Sequence, residues 1–421
     1  MAQSSPALPG TLTTADGIPL KLSLQRAQRR NRRHAFFLVA PLLAFIAVTF
    51  LLPIGDMLLR SVQNPELVSY MPRTLAVLKD WDGQEVPGEE AFAALAQDLK
   101  IAFQDKNFGK LGTRLNYEKS GAASLVRKSA RRAARLEEGP YREALLKIDK
   151  DWGDIGIWRL IQREGRPYTD SYLLAAVDFQ YNDQNEVVAL PENQRIHILL
   201  FQRSFILSLV ITLLTILLAY PISYLLANLP ARKANMLMIL VLLPFWTSLL
   251  VRTTAWIVML QTQGVLNDLL VWIGVLDDEN RLQMIFNQTG TIIAMTHILL
   301  PFMVLPLYSV MKTIPPNYLR AARSLGANPF TAFWKVYLPQ TVPGVSAGSV
   351  LVFILAIGYF ITPALVGGRT GQLISNRIAF HMQESLNWGL AAALGGILLV
   401  ATLLLYILYN RLVGVDKVKL G

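Results

Sequence analysis

Cysteine is absent from this chain, and charged side chains are scarce for its length. Without thiols the chain forms no disulfide and offers no thiolate ligand to a metal. Charged residues make up only 16% of the 421 residues, whereas a soluble domain carries about a quarter. Several apolar segments exceed the roughly 18 residues that a membrane-spanning helix requires. The composition therefore predicts an all-α membrane protein.

Patterns for nucleotide binding and catalysis are also missing. No G-x-x-x-x-G-K-[ST] phosphate-binding loop occurs, so we do not expect the chain to bind ATP. There is no H-E-x-x-H sequence, no metal-ligand spacing of His or Cys, and no nucleophile elbow. We predict no catalytic residue, no metal and no cofactor. The net charge of +11 does not indicate nucleic acid as a partner, because most of the excess basic residues lie beside apolar segments.

The apolar segments and the charges between them predict a topology. Six spanning helices are expected at about 35–59, 205–227, 236–260, 291–310, 345–365 and 388–409. The segments 21–34, 228–235, 312–340 and 410–421 together carry 15 Lys and Arg and one acidic residue. The loops 262–289 and 366–387 carry three basic and five acidic residues. Basic loops stay in the cytoplasm, so we expect both termini there and membrane lipid around the helices.

A polar block lies between the first two spanning helices. Residues 61–200 hold 19 basic and 21 acidic side chains and are long enough for a small domain. We predict a mainly helical insert outside the cytoplasm, with helices at 89–103, 124–138 and 141–148 and a short hairpin within 170–190. The basic helix 124–138 can bind phosphate groups or lipid, or it can be a solvated face paired with Glu137, Glu138 and Glu143.

The predicted layout thus has five parts. A basic cytoplasmic tail, 1–34, precedes the first membrane helix, 35–60, and the insert, 61–200. The membrane core, 201–411, contains a cytoplasmic loop, 312–344, and a cytoplasmic tail, 412–421, ends the chain.

The most informative stretch is the polar sequence at 315–344, PPNYLRAARSLGANPFTAFWKVYLPQTVPG. We predict a short helix at 318–325 capped by Asn317, a break at Gly326, and a second short helix capped by Asn328. The small side chains of Ala321 and Ala322 allow the backbone of another protein to approach closely. An amphipathic loop lying on the membrane surface is the alternative interpretation.

The spacing of this stretch resembles a known signature. The run Ala321-Ala322-x-x-Leu325-Gly326-Ala327, followed by Leu338-Pro339 and Pro343-Gly344, is similar to the cytoplasmic loop of ABC-importer permeases. The resemblance implies that this loop docks on an ATPase subunit. Members of that family usually have Glu before the two alanines, whereas this chain has Arg320. We therefore expect Arg320 to meet an acidic site on its own ATPase.

Two membrane stretches strengthen the resemblance: 243–268, LPFWTSLLVRTTAWIVMLQTQGVLND, and 358–368, GYFITPALVGG. Both are similar to permeases of the spermidine/putrescine type among type I ABC importers. The resemblance covers about 205–409 and the first helix, and it does not cover the insert. It implies the six-helix permease fold in a bacterial cytoplasmic membrane, ATP-driven alternating access and transport of a polyamine.

The implied partners are two ABC ATPase subunits, a second and non-identical permease, and an external solute-binding protein. Importers of the same architecture for an aminophosphonate, an opine, thiamine or ferric ion remain alternatives. A membrane-anchored sensor or scaffold is the alternative from another class.

One charge lies inside an otherwise apolar predicted helix. Arg252 is costly there unless it faces a cavity or a partner, or unless its long side chain reaches the outer headgroups. Polar and aromatic neighbours make up the remaining candidates for a translocation path, namely Trp246, Ser248, Trp256, Tyr359 and Thr362. These groups can equally pack between helices. His297, alone on its apolar helix, is predicted to be packed rather than to bind a ligand.

Overall fold

The computed structural model describes residues 20–136 and 139–413. The predicted N-terminal tail up to residue 19, the predicted ion-pair partners Glu137 and Glu138, and the C-terminal tail from residue 414 lie outside the described residues. The chain divides after Leu59 into two compact units. The first contains α1 (Leu20–Ile46), a π-helical turn (Ala47–Leu51) and α2 (Leu52–Arg60), which ends at the boundary. Apolar residues make Ala27–Arg60 long enough to cross a membrane.

The second unit begins with the insert, which is mainly helical as predicted. Its helices are α3 (Pro65–Tyr70), α4 (Pro72–Leu78), α5 (Glu89–Gln104), α6 (Phe108–Glu118), α7 (Ala122–Ala133), α8 (Tyr141–Ile148), α9 (Ile155–Glu164) and α10 (Ser171–Ala176). A 3₁₀ turn occupies Lys150–Gly153, and the predicted hairpin is β1 (Phe179–Tyr181) paired antiparallel with β2 (Val187–Ala189). A second 3₁₀ turn, Glu192–Gln194, leads to the membrane helices.

A hydrophobic core of its own holds the insert together. Trp152 and Trp158 are fully buried in it, and Phe92 lies 4.8 Å from Trp158 between ring centroids. Each indole N–H has an acceptor, because Trp152 donates to the Ser129 hydroxyl and Trp158 to the Trp152 carbonyl. Burial of large aromatic rings with satisfied N–H groups is a strong source of stability. The insert therefore packs like a soluble domain.

The insert is joined to the membrane helices by Asp178, which precedes β1 and whose side chain reaches the start of α11 (His197–Asn228). The Asp178 carboxylate accepts hydrogen bonds from the backbone N–H groups of Ile196, His197 and Ile198, at 2.8–3.2 Å. These are N–H groups that the first turn of a helix leaves unpaired. The cap therefore connects the hairpin directly to the first turn of a membrane helix.

The membrane part contains the remaining helices. They are α12 (Ala231–Trp246), α13 (Leu249–Leu260), α14 (Val265–Trp272), α15 (Gln288–Thr313), α16 (Asn317–Ser324), α17 (Pro329–Ala332), α18 (Leu338–Gly358), α19 (Ile361–Val366), α20 (Gly368–Gly371), α21 (Ile374–Gln383) and α22 (Trp388–Val413). A 3₁₀ turn occupies Asp278–Asn280 and a π-helical segment Phe333–Tyr337. Within the described residues, five helices are long and apolar enough to span a membrane, and six if the bent pair Ala231–Trp246 and Leu249–Trp272 forms one span.

Small residues bring α15 and α18 close together. A Cβ on Gly344 would lie 3.0 Å from Val310 and 3.1 Å from Leu307, and a Cβ on Gly348 would lie 2.5 Å from the Met303 sulfur. Small residues let helix backbones approach in a membrane, where packing rather than water exclusion drives association. With α11, these two helices form the centre of the membrane part.

Two predicted helices are broken in the structure. The expected helix 236–260 ends at Trp246 and restarts at Leu249, and its two parts meet at 97°. Pro244 lacks the N–H needed to continue the backbone ladder, and Thr247 is extended and donates its hydroxyl to the Pro244 carbonyl at 2.8 Å. The expected helix 345–365 is also interrupted, because α18 ends at Gly358 and α19 begins at Ile361.

Candidate functional site

The loop at 315–344 forms two short helices, as predicted, but Asn317 does not cap the first of them. Helix α16 starts at Asn317 itself, so Asn317 is not its N-cap. Gly326 has φ +89°, a left-handed conformation that favours glycine, and it ends this helix. Asn328 does cap α17, since its side chain accepts a hydrogen bond from the Thr331 N–H at 2.7 Å. The chain therefore turns sharply between two helices whose ends are specified by local chemistry.

The outer face of this loop is exposed and partly apolar. Leu325 is 89% exposed and Phe330 is 71% exposed, which is unusual for large hydrophobic side chains. The sequence-predicted docking residues lie on the same short helix and the turn after it. Arg320, Ala321 and Gly326 are exposed, and Ala322 and Ala327 are half-buried. Among the described residues none forms an ion pair or hydrogen bond with the Arg320 side chain, which leaves it available to another molecule.

The inner face of the loop rests on an aromatic cluster, which the sequence analysis missed. Phe333 and Tyr337 stack with ring centroids 5.8 Å apart, and both contact Tyr224 of α11 edge-on. Tyr220, one turn earlier, also meets Phe333, and its hydroxyl lies 3.2 Å from that of Thr341. The spacing of four residues within each pair places both rings on one helix face. This spacing was the available signal.

A lysine provides a second anchor. Lys312 at the end of α15 donates its ammonium to the Ala227 carbonyl at 3.2 Å. Carbonyls in the last turn of a helix lack partners and attract cations. The base of the loop is therefore joined to the end of α11.

The predicted path residues fall into two groups. Trp246 and Ser248 flank the bend between α12 and α13 and are exposed, Trp246 by 71%. The structure does not bring them into the cluster that contains the other candidates. That cluster lies on α13, α15 and the break between α18 and α19.

In the cluster, hydroxyls and rings join three helices. Thr253 and Thr362 are fully buried, with their hydroxyls 3.3 Å apart. Trp256 donates its indole N–H to His297 Nδ1 at 3.1 Å, which supports the interpretation of His297 as a packed residue. Half-buried Tyr359 lies at the break after α18, where its carbonyl accepts the Ser375 hydroxyl at 2.6 Å. Thr253 and Thr362 therefore lie in contact between α13 and α19.

Arg252 is half-buried beside this cluster. Its Nη2 donates to the Thr247 carbonyl at 2.9 Å, across the bend between α12 and α13. Its Nε is buried without a hydrogen-bond partner among the described residues. The guanidinium therefore stabilises the bend through one of its five N–H groups, while the side chain stays partly accessible.

Known transport proteins resemble the membrane part of this chain. Residues 219–414 match the family described as "Binding-protein-dependent transport system inner membrane component". The spermidine/putrescine transport system permease protein PotB of Escherichia coli (strain K12) is 37% identical over 205 residues, which cover 49% of this chain and 74% of PotB. PotB of Haemophilus influenzae is 34% identical over 56% of this chain and 86% of its own length.

More distant relatives and solved structures also match. The molybdenum transport system permease protein ModB of Mycobacterium bovis is 30% identical over 46% of this chain and 71% of its own length. The crystal structure of a bacterial ABC transporter involved in the import of alginate aligns at 19% identity and TM-score 0.42, over 52% of this chain and 79% of that chain.

The PotB relatives carry the assignment, because the matched regions make up most of their length. In this family the ATPase is a separate subunit, and the membrane component crosses the inner membrane several times. The chain belongs to the family of binding-protein-dependent transport system inner membrane components, and it is a permease subunit of an ABC importer.

Proposed function

We propose that this permease imports a polyamine such as spermidine or putrescine across the inner membrane, by alternating access driven by ATP. The observation that carries the proposal is the 37% identity to a permease named for spermidine and putrescine. A polyamine carries several positive charges, and aromatic side chains can accommodate them. Half-buried Trp256 and Tyr359 and exposed Trp246 offer ring faces that attract ammonium groups. Because the predicted spans 2–6 contain no Asp or Glu, selection of a polycation falls to the binding protein or the partner permease.

The proposed assembly contains two ATPase subunits, a second and different permease, and an external solute-binding protein. The exposed face of α16, with Leu325 and Arg320, is the proposed contact with one ATPase. Closure of the ATPases would move this loop, and the aromatic cluster around Phe333 and the bond from Lys312 would carry the movement to α11.

Uptake measurements test the cargo. Cells without their own polyamine uptake, expressing this permease with its cognate ATPase, second permease and binding protein, should accumulate labelled spermidine or putrescine. Omission of the ATPase should abolish accumulation. Absence of uptake, with the complex present in the membrane, would contradict the polyamine proposal.

The proposed orientation places the insert outside and the termini and coupling loop in the cytoplasm. Because the chain lacks cysteine, single cysteines report topology directly. Arg127 on α7 is exposed and suits labelling of the insert. Ser129 on the same helix does not, because it is buried and accepts a hydrogen bond from Trp152. In intact cells with a permeable outer envelope, Arg127→Cys should react with an impermeant thiol reagent and Ser324→Cys should not. Reaction of Ser324→Cys alone would reverse the proposed orientation.

A second cargo class is favoured by one observation, the positive charge of half-buried Arg252 beside the candidate path residues. A carboxylate or phosphonate passing this point would find a charge-assisted donor. If the transported solute carries such a group, Arg252→Gln should lower its uptake by roughly tenfold, as expected for loss of a charged hydrogen bond. Arg252→Lys is the control that keeps the charge. If polyamine uptake is unchanged in Arg252→Gln, Arg252 serves only to stabilise the bend.

A further inference from the structure

The insert carries an open cleft with a volume of about 550 Å³, formed by α4, the end of α9 and the β hairpin. Its lining includes three basic side chains, Lys79, Arg163 and Arg166, together with Tyr181 and Asn185. Among the described residues no acidic side chain lines it, although the Tyr181 hydroxyl donates to the Asp170 carboxylate at 2.9 Å. The family match begins at residue 219, so it does not cover the part of the chain that forms the cleft. Its chemistry therefore requires a separate explanation.

Arg163 is held in one orientation at the wall of the cleft. Its guanidinium stacks over the Tyr181 ring at 4.5 Å from the centroid, and Nη1 donates to the Asn185 side chain at 2.8 Å. Nε of Arg163 donates to the buried Glu164 carboxylate at 2.9 Å. Five N–H groups are available on a guanidinium, so these bonds leave donors free. A planar donor group fixed in this way can donate a charge-assisted hydrogen bond to a carboxylate or phosphate.

The floor and rim of the cleft are also fixed. Gln162 donates its side-chain N–H groups to the carbonyls of Leu78 and Trp81, at 2.8 and 2.9 Å, beyond the end of α4. A Cβ at Gly165 would lie 2.2 Å from the Leu75 side chain and 3.0 Å from the Ile161 carbonyl oxygen, so the chain packs closely at this point of the rim. The cleft is therefore a built feature of the fold, because its rim and floor are held by specific contacts.

The balance of charge favours an anion. Glu164 and Glu118 lie behind Arg163 and compensate its charge in part. Lys79 and Arg166 are exposed at the cleft, and among the described residues neither side chain has an ion-pair partner. We propose that this cleft binds a small solute through a carboxylate or phosphate group, with Arg163 as the fixed donor and Lys79 and Arg166 as the outer charges.

This site is distinct from the proposed transport path and has the opposite preference. A polyamine carries several positive charges, and the three basic side chains would repel it. Any ligand here also contacts the hairpin, which leads to the Asp178 carboxylate that caps α11. The proposed site is therefore an anion site on the outer part of the importer, and it does not depend on the identity of the cargo.

Binding to the purified full chain in nanodiscs tests the proposal. Equilibrium dialysis with labelled inorganic phosphate and labelled citrate, at constant ionic strength, should give saturable binding of at least one of them. Phosphate alone would identify a phosphate group as the recognised chemistry, and citrate alone a carboxylate. Arg166→Ala should weaken binding about tenfold, and Arg163→Gln by 10- to 100-fold, since each removes a charged donor.

Arg127→Ala is the matched control, because it removes an exposed arginine from α7, outside the cleft. It should leave the affinity unchanged. Because Arg166 is exposed, Arg166→Ala remains informative if Arg163→Gln fails to fold. The proposal is wrong if neither anion binds saturably, if Arg127→Ala and Arg166→Ala weaken binding equally, or if spermidine competes for the site.

Discussion

The insert and the membrane helices solve the same packing problem in opposite ways. In the insert the largest apolar side chains, such as Trp152 and Trp158, are fully buried. On α11 the fully buried residues include Ser204, Ser208 and Thr215, whereas Leu217 is 68% exposed. Hydrocarbon outside a membrane helix removes the penalty for exposing leucine, and close packing then favours small residues inside. One chain thus follows two packing rules according to its surroundings.

Buried polar groups differ between the two regions as well. In the insert, Arg114 is 2% exposed and binds the side chains of Asn64, Glu118 and Glu164. In α11, the Thr212 and Thr215 hydroxyls instead donate to carbonyls of their own helix. A long-range ionic network ties distant parts of the insert together, whereas these two threonines bond only within their own helix. The insert should therefore depend more strongly on single polar residues.

Loss of Glu164 should give the largest effect. The Glu164→Ala variant leaves the buried Arg114 without its main counter-ion, which costs about 3–5 kcal/mol for a buried pair. Burial raises the pKa of Glu164, but Arg114 outweighs this and the pKa lies below its ordinary value, so the carboxylate is charged at neutral pH. Thermal unfolding with a proteolysis readout of the insert should show the loss. Glu90→Ala, at an exposed position of α5, is the control, and equal unfolding temperatures would contradict the prediction.

The contact between the two regions should be next in sensitivity. A Cβ on Gly389 of α22 would lie 2.5 Å from the Tyr172 ring of α10. Gly389→Ala should therefore weaken this contact by about 2–3 kcal/mol, the cost of overpacking a rigid site. Hydrogen exchange should rise in α10 and remain low in α5, whose core is internal to the insert. Gly358→Ala meets no atom within 4 Å and should leave exchange in α10 unchanged; an identical rise in both variants would refute the expectation.

Acid should also act on this contact region. Burial, with Arg377 and His197 nearby, lowers the pKa of His381 to about 4, whereas the unfolded chain keeps its ordinary value near 6.5. The unfolded state then binds more protons below about pH 6.5, so stability falls as pH decreases from there towards 4. The loss should reach at most about 2 kcal/mol by pH 5.

Unfolding temperatures of the full chain at pH 7 and pH 5 measure this effect. His381→Asn removes the titrating ring and can keep a bond to Ser385, which now lies 2.8 Å from His381 Nδ1. The variant should show a smaller difference between the two pH values than the parent chain. An unchanged difference would assign the acid sensitivity to other groups.

The smallest expected effect concerns Arg320, which contrasts with the buried and paired Arg114. Since Arg320 is exposed and has no ion-pair partner among the described residues, Arg320→Glu should not alter stability. If the ATPase offers an acidic site, the reversal places like charges together and should lower ATPase stimulation about fivefold, or about 1 kcal/mol. Arg323→Glu on the same helix is the control. Normal stimulation in Arg320→Glu would mean that Arg320 faces solvent.

Local sequence signals predicted the positions of three insert helices and of the two short helices in 315–344, but the helix predicted at 124–138 is Ala122–Ala133, and α3, α4, α6, α9 and α10 were not predicted. The helix Tyr141–Ile148 agrees with its predicted bounds, and α5 differs by one residue from the prediction of 89–103. Gly326 has the positive φ that was expected. These features depend on side chains within one or two turns, so the sequence carries their cause. The N-cap at Asn317 was wrong because Pro315 and Pro316 let the helix begin one residue earlier.

The 97° bend after Trp246 was not predictable from apolar length, because hydropathy reports burial and not direction. Pro244 marked a weak point, but proline also occurs inside α11 and α15 without ending either helix. Which proline breaks a helix depends on the neighbours that satisfy the freed backbone groups. Here Thr247 and Arg252 supply those bonds across the bend.

The sequence by itself determined the membrane character, the number of apolar segments, the coupling-loop signature and the family, because each depends on composition or on short spacing. Only the tertiary structure decided which path candidates meet, that Trp246 and Ser248 stay apart from Thr362, and that Arg252 keeps an unused donor. It also decided that Lys79, Arg163 and Arg166 line one cleft. Contacts between residues far apart in the chain depend on packing, which local sequence patterns do not encode.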